Sequence, residues 1–535
     1  MVNEDSASYD VVIVGAGFAG LYMLYKCQQL GLRARVFEYG SGVGGTWYWN
    51  RYPGARCDTE SIMYSYSFDS DLQQEWSWSE RYAAQPEIEA YLNHVTDRFS
   101  LRRDITFDTR VVSAHFQDDT QRWHVKTDRG ETVDSHFFIT AVGCLSIATT
   151  PTWPCQDEFR GEVFHTSAWP AVEPDLRDKR VGVVGTGSSA VQAIPIIAQQ
   201  AKQLFVFQRT ASFSIPARNA PTNPSTEWRV KSHYEELRQR ARTSPIGNFW
   251  DLPTKSALEV SVEEREETFE QFWGAGSARF VLSFNDLTRD LAANDLAADF
   301  VRRKIAETVK DPETARKLTP HGYPIATKRI CLDTNYYPTF NLPNVTLIDV
   351  RADPIVSLAP SGLRTERAEF ELDVIVFATG FDAVTGALTA IDIRGRGGVK
   401  LRDRWADGPH AFLGLASAGF PNMFMITGPL SPSALSIVTV SIEQHVDWIG
   451  DAIDYLHGHG LSVIEATEQA ESDWDVEVEA AVARTLHPHA QFTYYWGGNI
   501  PGKPRKFLQF TGGVGPYREI CDAVARDGYR GFTVS

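Results

Sequence analysis

Tyr9-Asp10-Val11-Val12-Ile13-Val14-Gly15-Ala16-Gly17-Phe18-Ala19-Gly20 is an apolar run that breaks into three glycines at G-x-G-x-x-G spacing. The run Tyr9–Val14 reads as a buried strand, and the residues after the loop read as a helix. A glycine loop between strand and helix lets a bulky anion approach the backbone. It also offers free N–H groups and the positive end of the helix dipole, so it suits a dinucleotide pyrophosphate. Gly15, Gly17 and Gly20 are the expected contacts. Glu38, at the end of a second strand over 34–38, is placed to accept hydrogen bonds from a ribose diol.

The motif has an echo. Val181–Val184 runs into Gly185-Thr186-Gly187-Ser188-Ser189-Ala190, followed by a helix and a strand over 204–208. Ala190 takes the third glycine's place, which the motif tolerates. At the position equivalent to Glu38 stands Gln208, followed by Arg209 and Thr210. A carboxylate there would repel the 2′-phosphate of NADP, whereas a guanidinium grips it with two hydrogen bonds. The first loop therefore reads as an FAD site. The second reads as an NADPH site, with Gly185, Gly187, Ser188, Ala190, Arg209 and Thr210 as contacts.

A second pair of echoes is Phe137–Gly143 and Val374–Gly380, each a buried-type strand that ends on a small residue and a glycine. The fold class expected is α/β: two Rossmann-like dinucleotide-binding domains, one inserted in the other, plus a helical insertion. The expected bounds are 1–145 with 381–535 for the FAD-binding domain, 146–218 with 322–380 for the NADPH-binding domain, and 219–321 for the insertion. The insertion is charged and carries helix starts: a capping box at Ser261-x-x-Glu264 and Asp311-Pro312 as N-cap and first turn. Pro195 falls inside the second loop's helix, where a kink is expected.

Composition narrows the class. A length of 535 residues suits about three or four structural units. A net charge of −16 gives no footing for a nucleic-acid partner. Met1–Ser6 lacks the basic start and apolar core of a signal peptide. No apolar run is long enough to span a membrane. Cys27, Cys57, Cys144, Cys155, Cys331 and Cys521 form no C-x-x-C pair. That argues against a redox dithiol, a zinc site or an extracellular disulfide framework, and favours the reducing cytoplasm. Two nucleotide sites without a dithiol leave oxygenation, or electron transfer to a partner.

Two longer segments carry a resemblance. Gly44-Gly45-Thr46-Trp47-Tyr48-Trp49-Asn50-Arg51-Tyr52-Pro53-Gly54-Ala55-Arg56-Cys57-Asp58 and Phe159-Arg160-Gly161-Glu162-Val163-Phe164-His165-Thr166-Ser167-Ala168-Trp169-Pro170 resemble the two fingerprints of Baeyer–Villiger monooxygenases. The likeness continues at Ala378–Asp382 and Gly498–Arg505. Within the family the chain is more similar to phenylacetone and steroid monooxygenases than to cyclohexanone monooxygenase.

The resemblance implies a soluble enzyme that holds FAD and NADPH. It would insert one atom of O2 into aromatic or cyclic ketones through a flavin C4a-peroxide, giving esters or lactones, and would also oxidise sulfides. NADP+ would stay bound during turnover to keep water out. Asp58 matches a carboxylate beside the flavin, and Arg329 its arginine partner, which stabilises the peroxide and the developing oxyanion. Lys328 joins Arg209 and Thr210 at the 2′-phosphate, and Thr46 and Trp47 belong to the flavin side. His165 matches a linker residue rather than a base. Cys144, Leu145, Ser433, Ala434, Leu435 and Tyr494 would line the substrate pocket. Two of these depart from near relatives: Tyr494 replaces an expected tryptophan, with Trp496 two residues on, and Cys144 stands where glutamine is usual. The departures bear on the substrate rather than the reaction. No membrane and no obligate protein partner are expected. The rival classes are a heteroatom hydroxylase, a non-oxygenating flavin reductase and a non-catalytic nucleotide sensor.

Overall fold

The computed structural model describes residues 7–535, so the reading of Met1–Ser6 lies outside the described residues. In chain order, the strands of the two large sheets are β1 (Ala7–Val14), β2 (Ala34–Phe37), β3 (Ile105–Thr106), β4 (Val111–Gln117), β5 (Arg122–Thr127), β6 (Thr132–Thr140), β7 (Glu162–His165), β8 (Arg180–Val184), β9 (Gln203–Gln208), β10 (Val345–Asp349), β11 (Val374–Phe377), β12 (Asp392–Arg394) and β13 (Met423–Met425).

The first sheet runs β12-β4-β5-β6-β1-β2-β3, with β13 also paired to β6. The second runs β10-β9-β8-β11-β7 and is parallel throughout. Strands on both sides of the second sheet's sequence, β1–β6 and β12–β13, thus share the first sheet. The chain leaves that sheet after β6 and returns after β11. The two crossings lie side by side: Thr149 N donates to Gly380 O at 2.8 Å, Asp382 N to Ile147 O at 2.8 Å, and Val384 N to Cys144 O at 2.8 Å.

The two glycine loops are built alike. Val14 aligns with Phe37 on one side and Thr140 on the other; Val184 aligns with Phe207 and Phe377. Gly15 N donates to Phe37 O and Gly185 N to Phe207 O, at 2.8 and 3.0 Å. The turns pass close under the neighbouring strand. A Cβ on Gly15 would sit 2.7 Å from Ala141 O, and one on Gly185 would sit 2.3 Å from Ala378 O. This is why each loop begins with a glycine: the backbone after β6 and after β11 leaves no room for a side chain there.

Between β9 and β10 the chain forms helices Pro224–Lys231, Tyr234–Thr243, Val262–Ala275, Leu291–Thr308 and Pro312–Leu318. Phe269 and Phe300 pack with centroids 5.4 Å apart in a core shared with the second sheet. Asp311 caps its helix, accepting from Thr314 N at 2.8 Å. Ser261 accepts from Glu264 N at 3.2 Å, but the reciprocal half of the capping box is absent because the Glu264 carboxylate pairs with Lys255 instead. The helix Tyr234–Thr243 is bolted to the first body. The buried Arg238 donates to Met63 O at 3.2 Å, Ser65 Oγ at 2.7 Å and Gln73 Oε1 at 3.2 Å. Pro195 is buried inside helix Ser188–Gln200, which continues past it.

Candidate active site

The first loop ends in a helix, Phe18–Gln29, that starts on Gly17 without a side-chain cap. The second ends in Ser188–Gln200, which starts on Gly187, also uncapped. Each helix therefore presents first-turn amides free for an anion. On the first loop, a Cβ at Gly20 would lie 1.8 Å from Gly15 O. Ala190 fills the corresponding place in the second and is fully buried. The Glu38 carboxylate is also buried and holds the loop itself. Oε2 accepts from Ala16 N and Oε1 from Gly40 N, both at 2.7 Å. Each oxygen keeps a lone pair for a diol, so its position suits the ribose reading.

The first fingerprint folds over this loop. Gly44 N donates to Ala16 O at 3.0 Å, and Gly45, at φ 54, lies so near Gly17 that a Cβ would meet its Cα at 3.0 Å. Thr46 is exposed and Trp47 is buried, its Nε1 donating to Tyr64 Oη at 3.1 Å. The segment then crosses to the second body, where Tyr52 and Ala55 join the core of helix Ser188–Gln200. Gln192 on that helix accepts from Tyr52 Oη at 2.8 Å and Arg56 N at 3.3 Å, and donates to Arg56 O at 3.2 Å.

At the far end of the segment is Asp58. Arg329 Nε donates to Asp58 Oδ2 at 2.8 Å and Nη2 to Oδ1 at 2.6 Å, while Nη1 donates to Ala434 O at 3.1 Å. The side chains are 36% and 23% exposed, so the pair opens onto the cleft between the bodies. Burial alone would raise the Asp58 carboxyl; the Arg329 guanidinium outweighs it and holds the group below the usual range. The Asp58 charge in turn drives Arg329 well above an ordinary arginine. The pair is ionised, and the Arg329 face is a fixed positive charge.

Of the residues expected at the substrate pocket, Cys144, Ser433, Ala434 and Tyr494 lie near this charge. Cys144, Leu145 and Tyr494 pack against one buried cluster, Ala383, Val384 and Leu508, and Leu435 and Tyr494 against another, Val482, Tyr495 and Phe507. Cys144 is on the first crossing between the bodies. Ser433, buried at φ 37, opens the turn Ser433–Leu435 that supplies Ala434 O to Arg329. Tyr494 and Tyr495, whose rings are 4.3 Å apart, both feel the Arg329 charge, and burial keeps both phenols protonated. Trp496 turns away: its Nε1 donates to His487 O at 3.1 Å and its ring meets Phe507. Of Tyr494 and Trp496, Tyr494 is the one within the Arg329 field.

Across the second loop lies a group of cations. Lys328 sits over the Tyr323 ring at 4.9 Å, and burial, with Arg209 and Arg351 nearby, pushes its ammonium down to about 8. Arg209 is exposed; Arg351 Nη2 donates to Thr210 Oγ1 at 3.0 Å. No carboxylate salt bridge to Lys328, Arg209 or Arg351 is present among the described residues. Arg351 was invisible to motif reading because it follows β10, far from either glycine loop. Gln192 was hidden inside an ordinary helix. His165 accepts from Ser167 N at 3.1 Å through Nδ1 and faces Thr379 through Nε2, beside the paired crossings. Burial lowers its pKa, so it is neutral near pH 7.

Comparison with known proteins agrees with this geometry. A flavin-binding monooxygenase-like family model matches residues 8–246. A Baeyer–Villiger monooxygenase of Pseudooceanicola batsensis is 43% identical, over 98% of this chain and 96% of the relative. The chain belongs to the Baeyer–Villiger-type flavin monooxygenases. A phenazine N-monooxygenase of Lysobacter antibioticus is also 43% identical, over 99% and 98% of the two chains. Among solved structures, an oxidised steroid monooxygenase bound to NADP superimposes with a TM-score of 0.94 at 51% identity, over 99% of both chains. Two Rossmann-type bodies are therefore the family's fold, and this monooxygenase shares it along its whole length. No helix among the described residues is long and apolar enough to cross a membrane.

Proposed function

We propose that the protein is an FAD- and NADPH-dependent monooxygenase that converts aromatic or cyclic ketones to esters or lactones. Overall, ketone, O2, NADPH and a proton become ester, water and NADP+. The observation that carries the reading is the Arg329–Asp58 pair, joined by a two-bonded fork and ionised, with Cys144, Tyr494 and Tyr495 within its field.

Reduced FAD, when bound, supplies the activated oxygen. The chain's part is to bind, orient and exclude water. Gly15, Gly17, Gly20, Glu38, Thr46 and Trp47 would hold FAD. Gly185, Gly187, Ser188, Ala190, Arg209, Thr210 and Lys328 would hold NADPH, with the cations on the 2′-phosphate. Arg329 keeps hydrogen-bonding capacity beyond its fork to Asp58. Its charge opposes the negative charge that develops on the ketone oxygen, in a cleft where such a field is little screened. Asp58 fixes the guanidinium's plane. NADP+ retained in the cleft would exclude water.

We divide the chain into 1–145 with 381–535, 146–218 with 322–380, and a helical insertion at 219–321; the chain's departure from the first sheet after β6 and return to it after β11 support the division between the two nucleotide-binding domains. Six free cysteines support a cytoplasmic enzyme.

The phenazine N-monooxygenase relative supports a second reading, oxygen transfer to an aromatic nitrogen. One assay separates them. The FAD-loaded protein is given NADPH, O2 and a panel of ketones, sulfides and N-heterocycles, and products are identified by mass. Esters or lactones one oxygen heavier than the ketone are expected, with sulfoxides formed more slowly. N-oxides alone, with no ester from any ketone, would overturn the ketone reading.

A further inference from the structure

We propose that Gln192 is a positioning residue that sets the two nucleotide-binding bodies against each other and, through the Tyr52–Asp58 segment, holds Asp58 against Arg329. The inference rests on the monooxygenase reading for what is being positioned, but not for the contact itself.

The segment from Tyr52 to Asp58 belongs to the first body and is stitched to the second at both ends. One stitch is the Asp58–Arg329 fork. The other is the Gln192 side chain, whose Oε1 takes protons from Tyr52 Oη and Arg56 N while its Nε2 gives one to Arg56 O. The amide accepts through one atom and donates through the other; a carboxylate at the same place would lose the bond to Arg56 O.

The backbone has been brought close for the purpose. Gly54, at φ +81, lies where a Cβ would be 2.7 Å from Gln192 O and 2.8 Å from Ile196 Cδ1. Arg56 is held from its other side by Glu80 and Tyr82 O, each at 3.3 Å. A shift at Gln192 is therefore passed along a short, taut run to Asp58. Gln192 also rides on the helix whose N-terminus forms the second nucleotide loop. It thus couples the nicotinamide side to the flavin side without touching either nucleotide site.

The test compares wild type with Gln192→Ala, Gln192→Glu and Tyr52→Phe. Amide hydrogen exchange of the FAD-loaded protein reads the contact directly. Anaerobic reduction of the flavin by NADPH reads the positioning and needs no ketone. In Gln192→Ala, exchange over residues 52–58 should rise about tenfold or more while β1 and β8 stay protected. The reduction rate constant should fall about tenfold, as misplacement of reacting groups by a fraction of an ångström does, while NADPH affinity changes less than about threefold. Gln192→Glu keeps two of the three bonds and should recover most of the rate. Tyr52→Phe added to Gln192→Ala should cost nothing further. Unchanged exchange and unchanged reduction in Gln192→Ala would overturn the proposal. So would an equal loss in both Gln192 variants accompanied by a general rise in exchange, which marks plain destabilisation. A wild type that reduces normally but makes no ester would defeat the ketone reading and leave this inference standing.

Discussion

Arg329 and Asp58 lie 271 residues apart and meet in a two-bonded fork, at 2.8 and 2.6 Å, across the gap between two separate sheets. The fork does two things at once. It ties the second body to the first at the cleft, and it leaves a guanidinium face with a fixed charge and a fixed plane. An unpaired arginine in that place would be mobile and costly to bury. Because the ion pair spans the bodies, any motion between them changes the field in the cleft.

Removing the charge should therefore damage oxygen transfer more than nucleotide binding. In Arg329→Ala, FAD should stay bound and NADPH should still be consumed slowly. Ester should fall by about 10²–10³-fold, the usual loss for an oxyanion donor, and hydrogen peroxide should take its place. NADPH consumed, ester formed and peroxide released are measured in one reaction; wild-type coupling would show that Arg329 has no such role.

Arg209 and Arg351 flank Thr210 beside Lys328, so both should read the 2′-phosphate. A charge-assisted bond is worth roughly 1.5–3 kcal/mol, so Arg209→Ala should weaken NADPH by about 10–150-fold and barely affect NADH. Arg351→Ala should cost about 3–10-fold, the worth of one hydrogen bond at the edge of the cluster. Titration with both cofactors checks this. Equal losses for NADPH and NADH would remove either residue from phosphate recognition.

Tyr494 packs against the same buried cluster, Ala383, Val384 and Leu508, as Cys144 and Leu145. Tyr494→Trp puts a larger ring into that contact and narrows the pocket. Bulky aryl ketones should lose about tenfold in kcat/KM against small cyclic ones, the scale of a one- or two-carbon misfit. A uniform change across a ketone series would place Tyr494 outside the pocket.

Much of this architecture was legible because it repeats. Both glycine loops follow a buried strand, and the alanines after β6 and β11 mark where each loop passes beneath its neighbour. The cation group was half legible: Arg209 announced itself by following Gln208, which stands where the first loop has the Glu38 carboxylate, whereas Arg351 reaches Thr210 from a strand end that no motif describes. Gln192 gave no signal, since a glutamine on an amphipathic helix has many uses and only tertiary contact selects one. The Ser261 box was over-read. Its local pattern was right, but Lys255 offered Glu264 a full charge that outcompeted a backbone amide. The choice between Tyr494 and Trp496 depended on which ring faced Cys144, and that is decided by the fold of the tail.

Lys328 should make nucleotide binding depend on pH. Burial and the Arg209 and Arg351 charges lower its ammonium to about 8 in the free protein. A 2′-phosphate set among these cations reverses the balance, because an anion favours the charged form. Binding NADPH must then raise the Lys328 pKa and take up a proton wherever the free group is partly neutral. The sign follows: affinity is fully present below pH 8 and is lost as pH rises through 8 toward the higher, bound value. Each pH unit in that window costs up to about 1.4 kcal/mol, a factor of ten in affinity. NADH has no 2′-phosphate and should show little such slope, and Lys328→Arg, charged throughout, should flatten the NADPH profile. Dissociation constants for both cofactors between pH 7 and pH 10 give the measurement. A flat wild-type NADPH profile, or one that NADH shares, would mean that Lys328 does not meet the phosphate.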